Sequence, residues 1–317
     1  MRRSWFFTLL ALPLVVPSPR VQEYEIPLAG SFPHDPAVDR SGIVWYTDQA
    51  NSTIGRLDPE SGEIIDFPTP TEGSGPHGLD AADDGSIWYT AQRIGALGRL
   101  DPASGVITEF PLPATARNPH TPLVHRGLIW FTDANNNSYG RLDPVTGKAE
   151  VWTAPTERSI PYGLTAAPDG RLWIALLGTN KLGQVDPATG MMREYLLPDS
   201  GARPRRLAVA TDGVVWYTDN ARSFLGALDP RTGAVREWAS PTPASGPYAI
   251  AIGTDGRIWY NEARSNLMVA FDPVSAQLET VTIPTPGCVV RHMVVDRTRK
   301  RLWLALSGTG RIGRLDL

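Results

Sequence analysis

The sequence has a single cysteine, little net charge and no long run with helical periodicity. One cysteine, Cys288, among 317 residues excludes an internal disulfide, and we interpret it as a small buried residue rather than a reactive thiol. A net charge of −3 provides no electrostatic footprint for nucleic acid or for an anionic membrane. We therefore expect neither as a partner, and we expect stability to come from strand pairing and packing.

What the chain has instead is one sequence unit repeated along most of its length. Its tryptophan recurs at intervals of 42 to 44 residues, at Trp45, Trp88, Trp130, Trp173, Trp216, Trp259 and Trp303. The aspartate of a Leu-Asp-Pro element follows with the same spacing, at Asp58, Asp101, Asp143, Asp186, Asp229, Asp272 and Asp316. A period of this length indicates a repeat architecture, here with seven copies.

Each copy contains four short runs of alternating or β-branched residues, separated by Gly, Pro, Asn and Asp. In the second copy these runs are residues 79–82, 86–90, 97–100 and 106–110. Four strands in a period of about 43 residues are typical of a propeller blade. The predicted fold class is all-β, a seven-bladed β-propeller of four-stranded blades.

The two ends of the chain predict how the ring closes. The last copy stops at Leu317, where its fourth strand should begin, and residues 23–28 resemble the fourth strands of other copies. We expect this N-terminal strand to complete the last blade. Residues 23–317 then form a single domain.

Residues 1–22 lie outside the repeat. Arg2 and Arg3 precede an apolar run, from Trp5 to Val16, that is short for a bilayer span. We interpret this segment as a secretory signal peptide, with an uncleaved anchor as the alternative. The expectation is a periplasmic or secreted monomer with no membrane association after cleavage.

The two faces of the predicted propeller differ in regularity. The Asp-Gly and Asp-Pro-x-x-Gly turns repeat on one face, which we name the turn face. Variable loops and the crossovers between blades lie on the other, the working face. Each innermost strand opens there, and the residue that opens it points toward the central axis or close to it. Counting back ten or eleven residues from each repeated tryptophan, these positions are His34, His77, His120, Tyr162, Arg205, Tyr248 and His292.

Four of the five histidines fall on this ring, and their blades are consecutive around it. One hypothesis is descent from an ancestral Pro-His-Gly repeat. The other is a metal site, because convergent imidazoles suit Fe, Cu, Zn or Mn better than Mg. The candidate metal ligands are His34, His77, His120 and His292.

Other polar residues have possible roles around that arc. Asp48 and Glu262 end second strands, where they are either outer partners of the ligands or caps of their own loops. Tyr162, Arg205 and Tyr248 are candidates for binding an anionic or aromatic small-molecule substrate, although Arg205 can equally pair with a carboxylate inside the channel.

The repeat unit, Pro-His-Gly followed by Gly-x-Ile-Trp-Tyr-Thr, Gly-Arg-Leu-Asp-Pro and Glu-Phe-Pro-Leu-Pro, resembles that of the virginiamycin B lyase family. The resemblance implies elimination at an ester of a cyclic depsipeptide, with a last-blade histidine as general base and a nearby magnesium ion. It places the general base on His292. The family's two metal-binding glutamates fall on Val290 and Ser307, and its sixth-blade histidine falls on Tyr248.

These departures remove most of the magnesium site while the histidine arc remains. We therefore expect a metal-dependent lyase or hydrolase acting on an ester or lactone, with a transition metal polarising the carbonyl and a histidine accepting the proton. The alternative is a non-catalytic module that binds protein, glycan or metal on the same face. A sugar-lactone hydrolase fits less well, because the ring lacks the Glu, Asn and Asp that such chemistry requires.

Overall fold

The computed structural model describes residues 21–317 and contains 28 strands in seven four-stranded antiparallel sheets. The sheets follow one another around a ring, which confirms the predicted seven-bladed propeller. One 3-10 helix, Ser307–Thr309, lies in a loop of the last blade. Within the described residues, no helix is long and apolar enough to cross a membrane.

Each of the first six blades takes four consecutive strands. Blades one to three contain β2 (Pro33–Val38), β3 (Val44–Asp48), β4 (Thr53–Leu57) and β5 (Ile64–Pro68); β6 (Pro76–Ala81), β7 (Ile87–Ala91), β8 (Ala96–Leu100) and β9 (Ile107–Pro111); and β10 (Pro119–His125), β11 (Leu128–Asp133), β12 (Ser138–Leu142) and β13 (Ala149–Thr153). Blades four to six contain β14 (Pro161–Ala166), β15 (Leu172–Leu176), β16 (Lys181–Val185) and β17 (Met192–Leu196); β18 (Pro204–Val209), β19 (Val215–Asp219), β20 (Phe224–Leu228) and β21 (Val235–Ala239); and β22 (Pro247–Ile252), β23 (Ile258–Glu262), β24 (Leu267–Phe271) and β25 (Leu278–Thr282).

The seventh blade closes the ring with both ends of the chain. It contains β26 (Val290–Asp296), β27 (Arg301–Leu306) and β28 (Arg311–Asp316), and β1 (Val21–Glu25) is its outer strand. Pairing runs antiparallel from Val21 opposite Leu315 to Glu25 opposite Arg311. This confirms the predicted closure. Val21 and Gln22, assigned above to the signal segment, already belong to β1, and the rest of that segment lies outside the described residues.

The repeated tryptophans stabilise the contacts between blades. All seven are at most 3% exposed. Trp45 of blade one, for example, lies in one apolar cluster with Ile87 and Tyr89 of blade two. Loss of such a ring to alanine typically costs about 3–5 kcal/mol. Cys288 is likewise buried, and burial raises the pKa of its thiol to about 12.

A threonine in the second strand fastens the inner strands of neighbouring blades. Thr47 Oγ1 accepts a hydrogen bond from the Asp35 amide at 3.1 Å and donates to the His77 carbonyl at 2.8 Å. Thr90, Thr132 and Thr218 donate to the next blade in the same way. These hydrogen bonds hold the inner strands of blades one to four, and those of blades five and six, at a common height beside the channel.

Candidate functional site

A β-bulge at the working-face end of every inner strand turns two consecutive side chains into the channel. In blade one Pro33 pairs with Asp48 and Pro36 with Tyr46, so His34 and Asp35 are the residues of the bulge. The other six inner strands show the same register shift. We name the first set of bulge residues the upper ring: His34, His77, His120, Tyr162, Arg205, Tyr248 and Arg291. The second set is the lower ring: Asp35, Gly78, Thr121, Gly163, Arg206, Ala249 and His292.

The register corrects the position predicted for His292. In blade one the residues flanking the first turn, Val38 and Val44, are six positions apart, whereas in blade seven Val295 and Leu302 are seven apart. Counting back from Trp303 with the common turn length therefore stops one residue short. Arg291 takes the upper-ring position of blade seven, and His292 lies one level deeper. The sequence analysis did not identify Arg291.

The other three histidines form a continuous arc of closely packed rings. Ring centroids of His34 and His77 are 3.7 Å apart, those of His77 and His120 are 4.0 Å apart, and the Tyr162 ring follows at 3.8 Å. His34 Nδ1 lies 2.8 Å from Asp35 Oδ1, and His77 Nδ1 lies 3.2 Å from the His120 carbonyl. Because both partners only accept hydrogen bonds, each Nδ1 carries the proton and each Nε2 has a free lone pair.

These imidazoles are neutral at physiological pH. Burial, with a further contribution from nearby positive charge, lowers the pKa of His34, His77 and His120 well below that of an ordinary histidine. Burial and the Arg206 guanidinium also lower the pKa of His292. Neutral imidazole is the form that coordinates metal ions, so the arc is ready for a ligand without losing protons.

The opposite half of the upper ring is charged. The Tyr162 and Tyr248 hydroxyls are 2.5 Å apart, and Arg205 Nη2 donates to Tyr162 at 3.1 Å. The Arg205 guanidinium carbon lies 3.9 Å from the centre of the Tyr248 ring, and that of Arg291 lies 5.7 Å from the same ring. The predicted substrate-binding residues Tyr162, Arg205 and Tyr248 are thus brought together in one contact group.

An ion pair in the lower ring joins the two halves across the channel. Arg206 Nη2 lies 3.1 and 3.2 Å from the two carboxylate oxygens of Asp35, and its Nη1 lies 3.3 Å from Thr121 Oγ1. Asp35 and Arg206 are 1% and 2% exposed. A carboxylate inside the channel does pair with an arginine, but that arginine is Arg206 rather than Arg205. Gly163 leaves room for it, since a Cβ there would contact the Arg206 side chain and backbone.

One group in the described chain has the donors for a metal ion. Ligand atoms of His34, Asp35 and His77 all lie within 4.8 Å of one another. His120 packs beside this group without belonging to it, and His292 lies apart in the lower ring. Two imidazoles and a carboxylate suit Fe, Zn, Cu or Mn. Val290 and Ser307, where the resemblance implies carboxylates, offer none, and the Ser307 hydroxyl donates to the Pro33 carbonyl.

Asp48 and Glu262 cap their own loops. Asp48 Oδ1 accepts backbone hydrogen bonds from Phe32, Ala50 and Asn51 at 3.0 to 3.2 Å. Glu262 accepts from the Thr242 amide and the Ser265 hydroxyl. Neither carboxylate hydrogen-bonds an arc histidine in the described chain, so their observed role is to shape the working-face loops.

His292 lines a cavity on the turn-face side of the channel. This cavity has a volume of about 350 Å³ and is walled mainly by apolar residues such as Leu79, Leu207 and Ile250. The His292 Nδ1 atom is buried and has no hydrogen-bond partner in the described chain. A larger depression of about 630 Å³ lies at the outer edge between blades four and five, away from the ring histidines.

Four polar side chains of the channel were not predicted from the sequence: Asp35, Thr121, Arg206 and Arg291. The first three follow ring positions directly, and an alternating strand would have turned them away from the channel. Only the bulge turns consecutive residues to the same side. Arg291 was missed because of the longer turn in blade seven.

The chain matches the family model described as the virginiamycin B lyase family over residues 11–143 and 121–317. The structure is similar to selenomethionine-substituted virginiamycin B lyase from Staphylococcus aureus, with 25% identity, a TM-score of 0.88, and coverage of 95% of this chain and 100% of that chain. A streptogramin B lyase structure is similar at 27% identity and TM-score 0.87, covering 94% and 98% of the two chains. A catalytically inactive histidine-to-alanine variant of the S. aureus enzyme with quinupristin shares the fold at 24% identity and TM-score 0.88, covering 95% and 100%. No curated protein sequence matches the chain.

Proposed function

This chain belongs to the virginiamycin B lyase family, and from this premise we propose that it is a metal-dependent enzyme that cleaves an ester or lactone, by elimination or hydrolysis, at the working-face end of the channel. The observation that carries the proposal is the donor group of His34, Asp35 and His77, in which two neutral imidazoles have free Nε2 atoms. Fold likeness alone would not support an activity, because one scaffold hosts many chemistries.

Fe, Cu, Zn or Mn would be held through the Nε2 atoms of His34 and His77, and Asp35 would orient the His34 ring as its Nδ1 hydrogen-bond acceptor. When bound, such an ion supplies Lewis acidity toward the carbonyl of the ester or lactone. Two hydrogen bonds decide which ring nitrogen is free: Asp35 accepts the His34 Nδ1 proton, and the His120 carbonyl accepts the His77 Nδ1 proton. His120 lies beside the group with Nδ1 2.9 Å from Thr121 Oγ1, and we assign it proton transfer at Nε2.

His292 stays a separate candidate for the general base. It lines the cavity on the turn-face side, so it can act only on a substrate group that reaches the lower ring. Turnover lost in His120→Ala but retained in His292→Ala assigns the proton transfer to the arc. The reverse result assigns it to His292.

A second candidate function is binding without turnover. Its support is the packing of the arc, since centroid distances of 3.7 and 4.0 Å between imidazoles are shorter than the roughly 5 Å expected for two imidazoles on one ion with metal–nitrogen distances near 2.0 Å. The 2.5 Å contact between Tyr162 and Tyr248 also narrows the working-face end of the channel. A ligand would then lie on the ring without reaching a reactive group below it.

The test is the metal content of the untagged protein together with turnover of quinupristin and of simple aryl esters and lactones. We expect near-stoichiometric Fe, Cu, Zn or Mn, and turnover that stops on chelation. Both should be lost in His34→Ala/His77→Ala and retained in His125→Ala, because His125 lies outside the rings and contacts the Gly170 carbonyl. A wild-type protein that stays metal-free after reconstitution refutes metal dependence, and saturable binding without turnover favours the second candidate.

We further propose that residues 1–22 direct export and that the enzyme works as a periplasmic or secreted monomer. The segment's two arginines and short apolar run support this location. Cell fractionation of the full chain beside a chain lacking residues 2–20 tests it, with retention of the shortened chain in the cytoplasm as the expected result.

A further inference from the structure

Two arginines of the upper ring, Arg205 and Arg291, lie against the same tyrosine and lack an acidic partner. We propose that they form an oxyanion site over the Tyr248 ring, which binds the carboxylate or phosphate of a small-molecule substrate. The inference deepens the proposed function, on which it rests for calling the ligand a substrate. The binding step itself needs neither the metal nor turnover.

The two arginines reach the same tyrosine because of the register of blades five and seven. Arg205 opens β18, and Arg291 reaches the same level because the first turn of blade seven is one residue longer than that of blade one. Tyr248 of blade six lies between these blades. Its ring centre is 3.9 Å from the Arg205 guanidinium and 5.7 Å from that of Arg291. Phe32 contacts Arg291 from another side, at 5.6 Å.

The positive charge of this pair has no compensation within residues 21–317. Asp35 is the carboxylate of the channel, and Arg206 occupies both of its oxygens. Neither Arg205 nor Arg291 makes an ion pair with a described residue, and the neighbouring arc imidazoles are neutral. Carboxylates in the surrounding loops are already engaged, as Asp219 is with Arg222. Two partly buried cations near one another are electrostatically unfavourable, and a bound anion would relieve both.

Hydrogen-bonding capacity also remains unused. The Nε atoms of Arg205 and Arg291 are buried and have no partner in the described chain. Arg205 uses Nη1 for Asn220 and Nη2 for Tyr162, at 3.3 and 3.1 Å. None of the Arg291 guanidinium nitrogens has a hydrogen-bond partner among the described residues. Guanidinium edges bind carboxylate and phosphate with two parallel hydrogen bonds, and stacking on an aromatic ring holds the plane in place.

One internal arrangement competes with an external anion. Burial alone would raise the pKa of Tyr248, but the positive charges of Arg205, Arg206 and Arg291 outweigh it and lower that pKa. A Tyr248 phenolate would itself neutralise the pair. It would also repel an incoming carboxylate, so the two arrangements give opposite outcomes in a binding experiment.

The test is calorimetric titration of chelator-treated protein with benzoate, and with benzamide as the uncharged ligand of the same shape. We expect benzoate to bind and benzamide to bind at least tenfold more weakly. Losing a charge-assisted hydrogen bond costs about 1.5–3 kcal/mol, which corresponds to a tenfold or larger loss of affinity. Arg291→Gln and Arg205→Gln should each show that loss, and Arg291→Lys should be intermediate because it keeps the charge without the fork.

Arg264→Gln is the matched control. Arg264 is an exposed arginine on a working-face loop, and it contacts the Ala244 carbonyl at 2.9 Å. Its loss should leave benzoate binding unchanged. Equal binding of benzoate and benzamide, or equal effects of Arg264→Gln and Arg291→Gln, overturns the site. The site is also overturned if benzoate fails to bind the wild-type protein and that protein shows a tyrosinate absorbance at neutral pH that is absent from Tyr248→Phe. Benzoate binding without turnover of any ester keeps the site and rejects only the proposed reaction.

Discussion

The two halves of the upper ring have the same backbone and opposite chemistry. Blades one to three contribute His34, His77 and His120, which are buried, closely packed and uncharged. Blades five to seven contribute Arg205, Tyr248 and Arg291, which carry two partly exposed positive charges. Both halves use the same bulge. The repeat therefore fixes where a side chain lies and which way it points, and the residue type at that position determines the chemistry.

The lower ring joins these halves through one ion pair, and breaking it has the largest expected effect. Arg206→Met leaves the Asp35 carboxylate buried with His34 as its remaining side-chain partner. Breaking one side of a buried pair typically costs about 3–5 kcal/mol. We expect a loss of that size in the free energy of unfolding, measured by urea denaturation.

The double variant Asp35→Ala/Arg206→Met is the control for this prediction. It removes both charges, so it should be more stable than Arg206→Met alone. A single variant that loses less than about 1 kcal/mol would show that water or a neighbouring group already compensates the charge.

Lowering the pH should destabilise the fold through the three histidines of the arc. The folded pKa of His34, His77 and His120 lies well below the unfolded value near 6.5, so below that pH only the unfolded state takes up these protons. Stability should therefore fall as the pH decreases from 6.5. Between pH 6.5 and 5.5 the metal-free protein should lose roughly 1 kcal/mol for each imidazole.

The comparison protein is His34→Gln/His77→Gln/His120→Gln, measured by urea denaturation at the same pH values after chelation. Its stability should depend less on pH over this range, whatever its starting value. Identical pH dependence in both proteins would mean that the arc is accessible enough to take up protons without unfolding.

The smallest expected effect concerns the hydroxyl contact between Tyr162 and Tyr248 in the upper ring. Tyr162→Phe removes the hydroxyl that lies 2.5 Å from Tyr248 and accepts a hydrogen bond from Arg205. We expect a loss of about 1 kcal/mol in the free energy of unfolding. Tyr24→Phe, whose hydroxyl makes longer contacts at 3.3 and 3.4 Å, serves as the control and should cost less. Equal losses would show that the short contact contributes no more to the free energy of unfolding than the longer contacts of Tyr24.

The sequence predicted the ring better than it predicted what surrounds it. His34, His77, His120, Tyr162, Arg205 and Tyr248 were found because tryptophan spacing locates equivalent backbone positions. His292 was assigned to the wrong level, because the 44-residue interval before Trp303 contains one extra residue but does not show that it lies in the first turn of the blade. The carboxylates Asp48 and Glu262 were correctly placed at strand ends, but their bonding to nearby amides emerged only from the loop geometry.

The sequence by itself determined the number of blades, their four strands and the closure by the N-terminal strand. These features follow from local periodicity, because every copy of the repeat shows the same pattern. The tertiary structure alone decided that Asp35 meets Arg206 across 171 residues, that Arg291 replaces His292 in the upper ring, and that Arg205 and Arg291 share one tyrosine. The physical reason is that contacts across the channel join residues far apart in the chain, and bulges and turn lengths set their level without leaving a periodic signal.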